Sequence, residues 1–116
     1  MGYVVGRCIV SNTVGGWGLA RVKDGDGRQV LVHENHRVHP YPTPRGVSYA
    51  TSVSNRQLKR GVYVRMKVVC DNRGLLAQEW MYLDDYERAQ RKAREKRRRQ
   101  ERQRKLTQRT VYQATA

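Results

Sequence analysis

The sequence runs to 116 residues, with 24 Lys and Arg against 10 Asp and Glu and a formal net charge of +14 at pH 7. That length holds one domain, since a core of about 80 residues buries only about 60% of its unfolded surface. The charge is too lopsided to serve solubility alone, so the expected partner is a polyanion, and phosphate backbones are the commonest one.

In MGYVVGRCIV the apolar run is broken by Arg7, too early for a signal peptide, and no later run approaches a membrane span. Cys8 and Cys70 lie in apolar runs without CxxC spacing, which speaks against a cysteine zinc site and a disulfide framework and implies a reducing compartment. A soluble, cytoplasmic protein is expected, with nuclear or organellar residence left open. Tyr3 to Ser11 is rich in Val, Ile and Tyr, and a second such run, Trp17 to Lys23, follows the turn residues Asn12 to Gly16, the pattern of a hairpin. Asp24-Gly25-Asp26-Gly27 is a further turn signal, leading to a short strand, Gln29 to His33.

Residues 34–60 form an enlarged segment in which Pro40, Pro42 and Pro44 exclude helix while Val47, Tyr49, Thr51 and Val53 alternate with small polar residues. An irregular loop carrying one short strand or flap is expected there. After Gly61, Val62, Val64, Met66 and Val68 alternate with Tyr63, Arg65 and Lys67, a half-buried strand with one basic face. The turn Asp71 to Gly74 then leads into a fifth strand, Leu75 to Tyr82.

From Asp84 the pattern changes to a helix, with Asp84 as the expected cap and Glu87 reaching back to it. Residues 88–109 carry twelve basic side chains against Glu95 and Glu101 alone, whereas residues 1–87 carry twelve against eight acidic ones. Ala89, Ala93 and Leu106 are the segment's few apolar residues up to Leu106, so no docking stripe is expected, and the arm should project. The domain reading is therefore a barrel over 1–83, a basic helical arm over 84–107 and a disordered tail over 108–116.

GRCIVSNTVGGWGLA, Gly6 to Ala20, lies without a gap on the pattern G-x-V-K-W-F-N-x-x-K-G-F-G-F-I, keeping Gly6, Asn12, Gly16 and Gly18 and placing Trp17 at the first Phe of the ribonucleoprotein motif. VLVH, Val30 to His33, matches the second motif V-F-V-H, LKRGVYVRMKV from Leu58 matches L-x-E-G-Q-x-V-x-F-x-V, and Gly74 to Ala77 matches G-P-x-A except at Leu75. On these four pieces, in order, residues 2 to about 83 resemble the bacterial-type cold-shock domain. The resemblance implies a mainly β fold, a five-stranded antiparallel OB-fold barrel, here followed by a C-terminal basic α-helix. It also implies binding of single-stranded RNA or DNA, with bases stacking on side-chain faces and cations on the phosphates.

The implied barrel site is Arg7, Trp17, Leu19, Leu31, His33, Tyr63, Arg65 and Lys67. Arg88, Arg91, Lys92, Arg94, Lys96, Arg97, Arg98, Arg99, Arg102, Arg104 and Lys105 would follow phosphates along the arm. Departures from the family shift affinity toward the arm: Val10-Ser11 replaces a Trp-Phe pair, Leu19 and Leu31 replace Phe, Gly15 replaces Lys, and Glu34 replaces an aromatic. Tyr41, Tyr49 and Tyr63 are the aromatics available to compensate. The competing reading of Trp17 is core. His33, His36 and His39 recur every three residues, but Pro40 opposes a helix that would align them on a metal.

No Ser/His/Asp spacing, paired-carboxylate motif or GK[ST] loop occurs, so a non-enzymatic protein without cofactor or metal is expected, monomeric and without a membrane partner. The alternative reading is a structural component of a ribonucleoprotein particle, such as a ribosome-associated protein, whose arm threads ribosomal or other structured RNA.

Overall fold

The computed structural model describes residues 2–23, 27–51 and 56–114. In chain order the elements are β1 (Val4–Asn12), β2 (Trp17–Val22), β3 (Gln29–His33), a single 3-10 turn (Glu34–His36), β4 (Val38–Thr43), β5 (Gly46–Thr51), β6 (Tyr63–Asp71), β7 (Gly74–Tyr82) and α1 (Leu83–Ala114). The turn signal at Asp24 to Asp26 and the alternating Val53 lie outside the described residues, although Val22 N donating to Arg28 O closes the hairpin around the former at 2.9 Å.

Period-two alternation makes the barrel. Cys8, Ala20, Val30, Val32, Val64, Met66, Ala77 and Trp80 point inward and are almost fully buried, while their strand neighbours point out. The strands close in the order β1-β2-β3-β7-β6, with β6 pairing back onto β1. The expected all-antiparallel barrel is corrected at one seam, because β3 and β7 are parallel through Leu31 and Leu76. A closed ring with an odd number of strands cannot alternate direction all the way round, so one such pair is unavoidable.

Trp80 fills the centre, its indole N–H donating to His33 O at 2.7 Å and its ring meeting Tyr82 edge-on with centroids 5.5 Å apart. Gly18 is fixed by close approach: a Cβ there would lie 2.7 Å from Val10 O and 2.6 Å from Leu58 Cδ2, where β1 carries a bulge between Cys8 and Val10.

The enlarged segment 34–60 is not an irregular loop with one strand. After the 3-10 turn, β4 and β5 form a two-stranded antiparallel hairpin separate from the barrel sheet. Prolines exclude helix, but an edge strand with one neighbour tolerates the missing N–H of Pro40 and Pro42. Thr43 Oγ1 donating to Gly46 O at 2.7 Å, with Gly46 at φ 133°, makes the reversal.

The helix departs from expectation in three ways. It begins directly after β7, and Asp84 does not cap it with Glu87; its carboxylate takes both ends of the Arg56 guanidinium at 3.0 Å and the Asp85 amide at 2.8 Å. That hydrogen-bonded pair holds the Asp84 carboxyl below its ordinary value, and Arg56 also stacks 3.9 Å from the Tyr82 ring. Helix continues through Ala114 where a tail over 108–116 was expected, since no Gly or Pro follows Gly74.

Lastly, the proximal helix docks. Ala89 and Ala93, one turn apart and only 4% and 5% exposed, pack the helix chiefly against β4 and β5. A docking surface of two alanines escapes a search for large apolar residues, yet small side chains let the helix backbone approach closely. Lys96 Nζ donates to Pro42 O at 3.3 Å near the end of this contact. Beyond it the arm projects: the radius of gyration is 19.3 Å, against about 13 Å for a compact chain of this length. Among the described residues no helix is long and apolar enough to cross a membrane.

Candidate nucleic-acid interface

Strand register arranges the outer face of β1, β2 and β3 in three cross-strand rows. The first is Arg7, Arg21 and Gln29, extended on β6 by Tyr63; the second is Val10, Leu19 and Leu31; the third is Asn12, Trp17 and His33. Sequence reasoning named Arg7, Trp17, Leu19, Leu31, His33 and Tyr63, and the fold brings these together on one continuous surface. Arg21, at the centre of the first row, was missed; its alternation with Ala20 and Val22 was the available signal. Lys23 Nζ, 5.7 Å from the Tyr63 ring centroid, adds a further cation at that edge.

The Trp17 end is held by its turn. Asn12 Oδ1 accepts from Gly15 N at 2.8 Å, Asn12 O accepts from Gly16 N at 2.9 Å, and Gly16 turns at φ 71°. Glu34 N then donates to Gly16 O at 2.8 Å, tying this turn to the segment after β3. A Cβ at Gly15 would sit 2.8 Å from the indole, so glycine is what lets the turn fold against Trp17, which stays half-buried. His33 is anchored at both ends: its carbonyl accepts from Trp80, and its Nδ1 accepts from Asn35 N at 3.1 Å. The acceptor role of Nδ1 puts the proton of the neutral ring on Nε2, facing away from that contact.

Beside this row opens a cleft of about 200 Å³ lined by Asn12, Trp17, Glu34, Arg37, Leu58 and Trp80 among others. Arg37 is 8% exposed and pairs through Nε with Glu34 Oε2 at 3.0 Å, while its NH1 donates to Arg56 O at 2.7 Å. Sequence reasoning passed over this pair, although its i,i+3 spacing was visible.

Two expected site residues stand in surroundings that an open strand face would not give. Arg65 is not a free cation on an open strand face: its guanidinium lies 3.8 Å from the ring centroids of both Tyr3 and Tyr86, and NH1 donates to Tyr49 Oη at 2.9 Å. The hairpin and α1 cover this part of β6, which is why a basic strand face became internal cement. Lys67 is half-buried and stands opposite Glu79 in register. Glu79 also accepts from Tyr3 Oη at 2.8 Å, and burial first, then that hydrogen bond, pushes the Tyr3 phenol up to about 12. Of the compensating tyrosines, Tyr41 and Tyr63 remain exposed, while Tyr49 is committed to Arg65.

Arg65→Ala is expected to cost about 1–3 kcal/mol through two lost cation–π contacts and one hydrogen bond. The loss should appear as faster amide exchange in β5 and residues 83–97 with barrel protection retained; equal loosening of β1 to β3 would contradict this local role.

On the arm, Arg88, Arg91, Lys92, Arg94, Lys96 and Arg97 are exposed on the docked half, and Arg98, Arg99, Arg102, Arg104 and Lys105 on the distal half. At 100° per residue the distal five point in several directions around the helix. Among the described residues these cations form few ion pairs: Arg88 with Asp85 at 3.7 Å and Arg97 with Glu101 at 3.5 Å. Among the described residues no group of three or more His, Cys, Asp or Glu side chains is placed to hold a metal ion. No protein-family model matches the chain, and no curated protein matches it significantly.

Proposed function

We propose that the protein is a non-enzymatic nucleic-acid-binding protein with a cold-shock-like OB barrel. An unpaired RNA or DNA segment crosses β1 to β3, with bases on Trp17 and His33, aliphatic contact from Leu19 and Leu31, and phosphates on Arg7 and Arg21. The projecting basic helix neutralises further backbone. The observation that carries this reading is the placement of a Trp17–His33 row and an Arg7–Arg21 row on one exposed sheet face, with the aliphatic Val10–Leu19–Leu31 row between them. Flat side chains and cations on one sheet face suit unstacked bases joined by phosphates, and stacking contributes about 1–3 kcal/mol per base.

Trp17→Ala is the direct test. Single-strand affinity should fall about 5- to 150-fold with the melting transition nearly intact, because the half-buried indole lies outside the Trp80 core. Unaltered oligonucleotide binding by a folded Trp17→Ala protein would refute the barrel face as the site.

A second reading, a structural component of a ribonucleoprotein particle, is favoured by one feature: the middle row, Val10, Leu19 and Leu31, is aliphatic and offers fewer stacking faces. It predicts retention on ribosomal particles and weak binding to free oligonucleotides. Recovery of crosslinked nucleic acid from cells separates the two.

A further inference from the structure

Where the hairpin reversal meets the helix there is a second concave site, apart from the barrel face. A groove of about 280 Å³ is lined by Arg45, Tyr49, Tyr86, Gln90, Arg94 and Arg97 among others, and no carboxylate lines it. Its parts are fixed in place. Arg45 sits in the reversal locked by the Thr43–Gly46 hydrogen bond. Arg94 and Arg97 flank the buried Ala93 on the docked half of α1, and Lys96 holds the helix to Pro42 beside them. Arg97 shares its charge with Glu101 one turn on, whereas no acidic partner of Arg45 or Arg94 exists among the described residues.

Guanidinium groups from two separate elements, gathered around one cavity with only Arg97 paired to a carboxylate, match the bidentate, multiply charged oxygens of phosphate. The cavity's aromatic walls do not present the free faces a base would need. Arg65 lies against the Tyr86 ring and takes the Tyr49 hydroxyl, and Tyr49 also stacks on Tyr3 with centroids 6.1 Å apart. Such a site reads backbone and not bases, which suits a paired segment whose bases are stacked away inside. Its lining comes from the β4–β5 hairpin and α1, with no residue of β1, β2 or β3. The arginine groove therefore shares no lining residue with the Trp17–His33 row.

We propose that Arg45, Arg94 and Arg97 form a phosphate cradle for a paired nucleic-acid segment, so that the full ligand is a duplex continuing into a single-stranded tail. The tail's place rests on the function proposed above; the cradle does not. This gives the β4–β5 hairpin, added between the third and fourth barrel strands, a role of its own. Two modest contacts on one ligand reinforce each other through effective concentration.

The test uses the full chain and three labelled RNA probes: a single strand, a blunt hairpin, and that hairpin with the single strand as its tail. Arg45→Ala and Arg94→Ala should each weaken both hairpin probes about tenfold and lower their salt slopes by about 0.9, and Arg45→Ala should leave the isolated single strand unchanged. Arg45→Lys should fall between, since it keeps the charge but loses the planar fork, a gradation that a folding defect would not give.

Trp17→Ala should weaken the single strand and the tailed hairpin and spare the blunt one. Hairpin binding unmoved by Arg45→Ala and Arg94→Ala would overturn the cradle, whatever Trp17→Ala does. So would displacement of the hairpin by poly-glutamate as readily as by RNA at equal charge, the mark of an acidic protein partner. Loss of hairpin binding in the arginine variants, with Trp17→Ala silent on every probe, would uphold the cradle and overturn the barrel face alone.

Discussion

Truncation after Arg97 is expected to lower the slope of log affinity against log salt by up to about 4 on single strands, at about 0.7 for each neutralised phosphate. The segment removed carries six cations, Arg98, Arg99, Arg102, Arg104, Lys105 and Arg109, against one acid, Glu101. Over a fourfold rise in salt, that difference amounts to roughly 300-fold in relative affinity. The cut spares the docked half of the helix, with Ala89, Ala93 and the Lys96–Pro42 contact, so melting should be nearly unchanged. Removing the whole arm from residue 88 would strip the hairpin of its support and confuse binding with folding. Fluorescence anisotropy across a salt series reads the slope; identical slopes for the two chains would remove the distal helix from any phosphate role.

Replacing Trp80 with Ala is expected to unfold much of the population. The indole is fully buried at the barrel centre, and truncating such a residue costs about 3–5 kcal/mol. Its N–H is also the donor to His33 O, and leaving that carbonyl unsatisfied adds about 1–3 kcal/mol. Small domains hold only about 5–15 kcal/mol in total, and a barrel this small belongs near the lower end. Thermal denaturation should show a fall of at least about 15 °C, on the scale of 4–8 °C per kcal/mol for domains of this size. Trp80→Phe keeps most of the volume and loses the donor, so it should melt closer to wild type while relaxing the backbone that presents His33. A native melting curve for Trp80→Ala would contradict the core described above.

The two tryptophans illustrate how far residues alone can be read. Both sit in strand-like runs, and alternation places each on one face or the other. Only closure of the barrel makes Trp80's side the interior and leaves Trp17 half-buried at the end of an exposed row. Arg65 shows the reverse error. Its alternation with Val64 and Met66 correctly pointed it outward, but outward from β6 means toward the hairpin and helix, which no local pattern reveals.

Strand positions, the helix, the tight glycines at 16 and 18 and the concentration of charge after residue 87 were all legible in the sequence, because each follows from interactions within a few residues. Side-chain alternation, backbone freedom at glycine, helix propensity and charge spacing act locally. The parallel seam between β3 and β7, the folding of 34–60 into a hairpin, the docking of Ala89 and Ala93, and the meeting of Arg45 with Arg94 and Arg97 were decided by tertiary structure. Each depends on segments far apart in the chain coming into contact, and the energy that selects them lies in shape and burial, which exist only once the barrel has closed.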